Sequence, residues 1–311
     1  MAQDRLIHGC MGLGGSWDRE PYGAADVEHA HAVVEAALDA GITTFDHADI
    51  YRHGKAEAVF GEVLARAPEL RGRITVQTKC GIRLAEGDRP GTYDLRGSSI
   101  VRCVEESLTR LRTDHVDTLL LHRPDPLADP EDIAEALTSL HGQGLVKQFG
   151  VSNMSAHQLA RLQGPLDLPL VVNQLEMSLH RRDWLESEVL VNTPGAAQLG
   201  FPEGTLDHCR SHSVQLQAWG ALAQGRYSDR PETAADRATA LLVRELAERK
   251  GTTSETIVLW WLRRHPAGIV PVIGTANPAR IRACRDATGE PRLSHDEWYE
   301  LWITARGTPL P

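Results

Sequence analysis

The sequence predicts an α/β fold, a (β/α)8 TIM barrel of eight parallel strands that occupies residues 1–311 as one domain. Short β-rich or apolar segments alternate with helical segments along the chain, which is typical of βαβ units and a parallel sheet. Several strands, such as VDTLLLH, are apolar at nearly every position, as expected for a sheet covered on both faces. No glycine-rich dinucleotide fingerprint follows the first strand, which favours closure into a barrel over a doubly wound open sheet.

Eight segments are short enough and apolar enough to be buried strands. Polar residues stand at several of their carboxyl ends, where parallel barrels place their active sites. The predicted strands are His8–Leu13, Thr43–Asp46, Ile74–Lys79, Val116–His122, Gln148–Ser152, Leu170–Leu175, Val214–Trp219 and Ile269–Ile273.

The segments between the strands carry the spacing and the end signals of helices. The first of them begins at an N-cap residue, ends before Gly41 and repeats apolar residues three or four positions apart. The last opens with a Ser-x-x-Glu capping box, Ser294 with Glu297. The predicted helices are Asp26–Asp39, Ser98–Leu111, Pro130–Leu140, Ser155–Leu162, Ala234–Arg249, Ser254–Arg264, Pro278–Ala287 and Ser294–Thr304.

Composition and charge narrow the class of protein. The formal net charge of −9 argues against a nucleic-acid partner, which would need a basic face. No apolar run reaches the length of a membrane helix and the N-terminus lacks a signal-peptide pattern, so we expect a cytoplasmic protein without a membrane partner. Five scattered cysteines without a C-x-x-C pair suit a reducing compartment and do not support a metal site. Nothing in the sequence implies an oligomer.

Ionisable residues follow three consecutive predicted strands, which end TTFDHADIY, VQTKC and LLLHRPDP. Asp46, Lys79 and His122 therefore point toward one mouth of the barrel, and Tyr51 lies in the loop above Asp46. A lysine at the end of an apolar strand needs a carboxylate partner, and Asp46 is the available one. Each residue alone also has a structural interpretation, as a cap, a surface lysine, a hydrogen-bonded histidine or a packed tyrosine, but the four together favour a catalytic set.

The chemistry of these four residues is consistent with carbonyl reduction. We expect the ammonium of Lys79 to favour the tyrosinate form of Tyr51 and to lower its pKa from about 10 toward the working range. Such a tyrosine can protonate a carbonyl oxygen as hydride reaches the carbon, and an imidazole beside it can hold that oxygen.

The strings FDHADIY, TKCGI, LLLHRPDP and GVSN resemble the aldo-keto reductase superfamily, and a microbial branch of it most closely. The resemblance runs from GCMGLGG to the C-terminal helix. It implies a catalytic tetrad of Asp46, Tyr51, Lys79 and His122, with Tyr51 as the proton donor in an NADPH-dependent reduction of an aldehyde or ketone.

The resemblance also implies a cofactor site. Ser152, Asn153 and Gln174 match positions that hydrogen-bond the nicotinamide carboxamide, and Trp219 matches the aromatic residue that stacks on the ring. The string WGALAQGR matches the loop that wraps the pyrophosphate, and three residues after the eighth strand match the site of the adenosine 2′-phosphate. The residues matched to the pyrophosphate loop are Gly220, Ala221, Leu222, Gly225 and Arg226. The residues matched to the 2′-phosphate site are Gly274, Thr275 and Arg280.

One departure from the family concerns the 2′-phosphate. Many relatives carry lysine where this chain has Gly274, and the nearest branch often carries it where this chain has Asn277. We still expect NADPH rather than NADH because of Arg280 and Arg282, with a modest preference.

Substrate selection should come from the long segments after the strands. Trp17 and Trp184 are candidates for contact with an apolar carbonyl compound, and Arg83 or Arg123 could attract a carboxylate, unless Arg123 pairs with the aspartate of HRPDP.

Two rival interpretations of the function remain open. One is a cofactor-binding regulatory barrel with little turnover. The other is a metal-dependent hydrolase using His47 and Asp49, which alternation disfavours because His47 points away from Asp46.

Overall fold

Eight parallel strands close into a barrel in the computed structural model, which describes residues 5–311. The first and last strands pair through Ile7 and Val272, so the sheet has no open edge. This confirms the predicted fold class. The strands are β1 (Ile7–Gly9), β2 (Thr44–Asp46), β3 (Thr75–Cys80), β4 (Ile82–Arg83), β5 (Thr92–Tyr93), β6 (Val116–Leu121), β7 (Val146–Ser152), β8 (Leu170–Glu176), β9 (Gln215–Trp219) and β10 (Val270–Ile273); β4 and β5 form a separate antiparallel hairpin, and the others make the barrel.

Helices follow the strands and pack side by side around the barrel. Each buries one apolar side, as the 3.6-residue spacing predicts; Ile100, Val104 and Leu111 form that side in the third helix. The α-helices of residues 5–311 are α1 (Ala24–Asp39), α2 (Lys55–Arg66), α3 (Gly97–Leu111), α4 (Pro130–Gly142), α5 (Ala156–Gln163), α6 (Asp183–Val189), α7 (Thr205–Ser211), α8 (Ala234–Lys250), α9 (Ser254–Arg263), α10 (Pro278–Arg282) and α11 (His295–Arg306).

The end signals read from the sequence act as expected. At the start of α11, the Ser294 hydroxyl accepts from the Glu297 amide at 3.1 Å, and the Glu297 carboxylate accepts from the Ser294 amide at 2.8 Å. Asp129 caps α4 ahead of Pro130, which occupies the first turn. None of the helices in residues 5–311 has the length and apolar character needed to span a membrane.

The structure corrects several element assignments. The first strand ends at Gly9 rather than Leu13 and continues as a 3-10 turn. Helices α6 and α7 lie between β8 and β9, where no helix was predicted, and each has only seven residues, too few for periodicity to be read. Helix α2 was missed although Ala56, Val59, Phe60 and Val63 repeat at helical spacing. A glycine in its middle, Gly61, weakens the intrinsic signal.

Gly61 marks the closest approach of α2 to α3. A Cβ atom at this position would lie 2.9 Å from the carbonyl carbon of Leu111 and nearer still to the carbonyl oxygen of Arg110. Both obstacles are backbone atoms, so they cannot rotate away. The absence of a side chain therefore lets the two helices pack at this distance.

We predict that Gly61→Ala destabilises the protein, although alanine normally stabilises a helix interior by roughly 0.5–1 kcal/mol relative to glycine. The steric conflict with α3 should reverse the sign and lower the free energy of unfolding by about 1–3 kcal/mol, as overpacking does. Urea denaturation measures this. Gly72→Ala is the matched control, because nothing lies within 4 Å of its added Cβ. Equal stability of the two variants would contradict the packing argument.

Candidate active site

A buried ion pair lies at the carboxyl ends of β2 and β3. The Lys79 ammonium nitrogen lies 2.7 and 2.6 Å from the two carboxylate oxygens of Asp46 and 2.8 Å from the carbonyl oxygen of His47. Both charged side chains are at most 3% exposed. A buried ammonium is tolerated only with such partners, since desolvation costs several kcal/mol per ion. The predicted pairing of Lys79 with Asp46 is present.

Tyr51 completes this group from the loop after β2. Its hydroxyl oxygen lies 3.3 Å from the Lys79 nitrogen. The chain turns sharply behind it, because Arg52, His53 and Gly54 all have left-handed backbone conformations, with φ of 53°, 57° and 88°. Hydrogen bonds from the backbone of the loop to β3, such as that from the Asp49 amide to the Lys79 carbonyl at 3.0 Å, hold it over the barrel.

His122 follows β6 and faces the same space. Its ring centre lies 6.0 Å from that of Tyr51, with the ring planes at 81°. Burial holds the pKa of His122 well below its usual range, and the positive charges of Lys79 and Arg123 add to this effect. The imidazole is therefore neutral at physiological pH. Asp46, Tyr51 and His122 line one cavity, and Lys79 contacts two of these residues, Asp46 and Tyr51, without lining it.

The pKa of Tyr51 differs from the sequence-based expectation. Burial raises the pKa of its phenol, and the negative charge of Asp46 offsets part of the lowering effect of Lys79. The result is a pKa above 10, so the expected depression is wrong for the protein without ligand. Burial alone would lower the pKa of Lys79, but Asp46 and Tyr51 outweigh it and raise that pKa. The resting site thus holds a protonated tyrosine beside an ammonium.

A chain of buried amides links Asp46 to the opposite wall of the barrel. The Gln77 side-chain nitrogen donates to Asp46 at 2.6 Å and to the amide oxygen of Gln217 at 2.9 Å. The same Gln217 oxygen accepts from Gln174 at 3.0 Å. Sequence reasoning missed Gln77 and Gln217. The available signal was their position two residues before Lys79 and Trp219, on the same face of each strand.

The four residues matched to the nicotinamide lie together at the mouth. Ser152, Asn153, Gln174 and Trp219 all line the cavity. The Trp219 indole nitrogen donates to the Asn153 side-chain oxygen at 3.1 Å, and the Asn153 amide donates to the Ser152 hydroxyl at 2.7 Å. Asn153 has a φ of 58°, a conformation that asparagine tolerates better than most residues. These bonds fix the indole and the amide at the end of the strands.

The residues matched to the phosphates extend the cavity away from the tetrad. The cavity has a volume of about 700 Å³ and includes Gly220, Ala221, Leu222 and Gly225, then Gly274, Thr275 and Arg280. Arg226 is not among its lining residues. Its guanidinium pairs with Glu232 and Asp236, each at 2.8 Å. The assignment of Arg226 to the cofactor loop is therefore corrected: its side chain anchors the start of α8.

Arg280 is held by an acidic neighbour. Its guanidinium lies 2.5 Å from the carboxylate of Asp229, which belongs to the segment after β9. Both side chains are about half exposed. The pair joins the segment after β9 to α10 across the end of the cavity.

The four substrate candidates divide into two pairs. Trp17 and Arg123 line the cavity, whereas Arg83 and Trp184 do not. Arg83 pairs at 2.5 Å with Asp94, which directly follows the β4–β5 hairpin. Trp184 is 1% exposed and packs edge-on against Trp261 and His265, so it is a core residue. Ile82, rather than its neighbour Arg83, reaches the cavity.

The two residues of the hydrolase interpretation do not meet at the mouth. The His47 ring packs against Phe60 at 4.5 Å between centres, on the side of the strand away from Asp46. Burial, then the charges of Lys79 and His8, lower its pKa to about 3. In residues 5–311, no three His, Cys, Asp or Glu side chains are grouped so that they could hold a metal ion.

We predict that Gln77→Leu lowers the free energy of unfolding by about 1–3 kcal/mol, because Asp46 loses a buried donor and the Gln217 amide loses one of its buried partners. Urea denaturation measures the change. Gln148→Leu is the matched control, since this glutamine also lies on a barrel strand but is exposed. A cost no larger than that of the control would show that the amide chain does not stabilise the fold.

The sequence matches the model of the aldo/keto reductase family over residues 5–302. An uncharacterized oxidoreductase, YcsN of Bacillus subtilis, is 37% identical over 99% of this chain and 96% of its own. A 6-dehydroglucose reductase of Agrobacterium fabrum is 36% identical over 97% of this chain and 94% of its own.

Solved structures share the fold. An aldo/keto reductase of Klebsiella pneumoniae, in complex with NADP and acetate, has a TM-score of 0.74 at 24% identity and covers 99% of this chain and 92% of its own. A glycerol dehydrogenase of Gluconobacter oxydans has a TM-score of 0.79 at 23% identity, over 99% and 94% of the two chains.

Proposed function

Because this chain belongs to the aldo/keto reductase family and is an NAD(P)H-dependent oxidoreductase that reduces carbonyl compounds, we propose that its cofactor is NADPH and that Tyr51 is its general acid. The observation that carries the proposal is the position of the Tyr51 hydroxyl, 3.3 Å from a buried ammonium and facing the cavity beside His122. The substrate is a small aldehyde or ketone.

The residues at the mouth fit a nicotinamide group. A carboxamide needs both donors and acceptors, and Ser152, Asn153 and Gln174 offer both at neighbouring strand ends. Within residues 5–311, no group donates to the side-chain oxygen of Gln174, which leaves it available to the carboxamide. The indole of Trp219 offers an aromatic face. When bound, the reduced nicotinamide supplies a hydride to the carbonyl carbon.

Tyr51 supplies the proton that balances this hydride. Its phenol is protonated at rest and gives its proton to the carbonyl oxygen as negative charge develops there. The tyrosinate that remains is stabilised by the Lys79 ammonium, an attraction that is much weaker before the proton moves. Asp46 keeps Lys79 in position and protonated. The neutral imidazole of His122 donates a hydrogen bond that orients the carbonyl oxygen.

The preference for NADPH depends on Arg280. A guanidinium binds phosphate through paired, charge-assisted hydrogen bonds, and Thr275 adds a hydroxyl beside it. Two features weaken this site. Gly274 stands where many relatives carry lysine, and the carboxylate of Asp229 competes with a phosphate for the guanidinium of Arg280. We therefore propose a modest preference for NADPH over NADH.

We predict that Tyr51→Phe lowers kcat by about 10²–10⁴-fold, the usual contribution of a general acid, because the ring remains but the proton is gone. Binding of NADPH, measured by isothermal titration calorimetry, should stay within about threefold of the wild type, since the change is small and uncharged. Tyr299→Phe on α11 is the control. A wild-type kcat in Tyr51→Phe would contradict the assignment of Tyr51 as the general acid.

We predict that Arg280→Gln weakens NADPH binding about tenfold or more and leaves NADH binding unchanged, because only NADPH carries the 2′-phosphate. Calorimetric titration of each cofactor measures this. Arg282→Gln is the matched control on the same helix, since Arg282 pairs with Asp39 and does not line the cavity. Equal losses for both cofactors would place Arg280 elsewhere than at the 2′-phosphate.

A further inference from the structure

Arg123 has an unusual environment for an arginine of this chain. It is half-buried and lines the catalytic cavity, yet its guanidinium makes no hydrogen bond or ion pair with any group in residues 5–311. The other arginines of that region that lack such bonds are all exposed. They are Arg73, Arg89, Arg230, Arg244 and Arg292, the last of which lies over the ring of Trp260.

The obvious internal partner of Arg123 is engaged elsewhere. Asp125 accepts hydrogen bonds from the backbone amides of Leu95 at 3.0 Å and Leu127 at 2.9 Å. Pro124 and Pro126 restrict the backbone on both sides of this aspartate. The sequence string HRPDP therefore does not form an internal Arg–Asp pair, and the guanidinium of Arg123 stays directed to the cavity.

The charges around the cavity leave Arg123 uncompensated. Among residues 5–311, two carboxylates line the cavity: Asp46 is neutralised by Lys79, and Glu255, on α9, makes no ion pair with Arg123. The walls beside the tetrad are apolar or aromatic, formed by Trp17, Ile50 and Ile82. A cation in such surroundings attracts an anion more strongly than one in open water, because the effective dielectric constant is lower.

We propose that Arg123 is a specificity-determining residue that binds an anionic group, a carboxylate, of the carbonyl substrate. The proposal rests on the reductase function above and names its substrate class. Arg123 follows His122 directly and lines the same cavity, so one small molecule can reach both side chains. The substrate is accordingly an oxo acid, with the carbonyl oxygen at Tyr51 and His122 and the carboxylate on the guanidinium.

Matched substrates test this directly. Para-carboxybenzaldehyde carries the anion, and its methyl ester has nearly the same shape without the charge. We expect the wild type to reduce the acid with the higher kcat/KM, and Arg123→Gln to lose about tenfold or more of that advantage with little change for the ester. Arg123→Lys should retain part of it, because charge remains but the paired geometry is lost.

Arg83→Gln is the control for long-range attraction. It removes the same charge near the mouth from a residue that does not line the cavity, so the acid should keep its advantage. An equal loss in Arg83→Gln and Arg123→Gln would show general attraction rather than a binding contact, and would overturn the proposal. Retention of the full advantage in Arg123→Gln would overturn it as well.

A binding measurement separates this proposal from the reductase function. Terephthalate and its dimethyl ester are titrated calorimetrically into the wild type and Arg123→Gln, each saturated with NADP+. Terephthalate binding that depends on Arg123 supports the anion site even if no aldehyde is turned over, in which case the reductase function alone fails. Reduction of the ester with no role for Arg123 leaves the reductase function standing and refutes the anion site. A preference for neutral, hydroxylated glyceraldehyde that depends on Arg123 would also refute it.

Discussion

The ion pair between Lys79 and Asp46 is the constraint on which the site depends. Two opposite charges are buried at the mouth of the barrel, and either one alone would be costly because removing one partner leaves an unpaired buried charge. The pair forms only because β2 and β3 are neighbours in register, with Asp46 opposite Gln77 and Lys79 two residues further along the same face. The ion pair therefore requires that β2 and β3 pair in this register.

The rest of the site is arranged around that ammonium. Tyr51 contacts it from a loop with three successive left-handed residues, and the positive charge helps to keep His122 neutral. The protonation states that result are complementary: one proton is available to transfer, one cation is fixed, and one imidazole can donate without changing charge. None of these groups needs to titrate before substrate arrives.

The sequence predicted the barrel and the grouping of Asp46, Tyr51, Lys79 and His122. It could do so because strand ends in a parallel barrel meet at one face, so residues on separate strands could be placed together without knowing distances. Prediction failed where a side chain's direction depends on a local partner. Arg226 turns to Glu232 and Asp236, and Arg83 turns to Asp94, and neither choice is visible in a linear pattern. Trp184 was misplaced because a seven-residue helix puts it in the core. The direction in which the pKa of Tyr51 shifts depends on how deeply the side chain is buried, and no sequence motif gives that information.

The amide chain inside the barrel has a consequence for how this sequence can change. Gln77, Gln174 and Gln217 come from three strands, and each satisfies a buried group of another. Replacing one removes a hydrogen-bond partner from a neighbour's buried amide, whereas exchanging two for apolar residues together can be nearly neutral. Among homologues these positions should therefore vary as a set rather than one at a time, and the interior layer of the barrel should appear as correlated columns in an alignment.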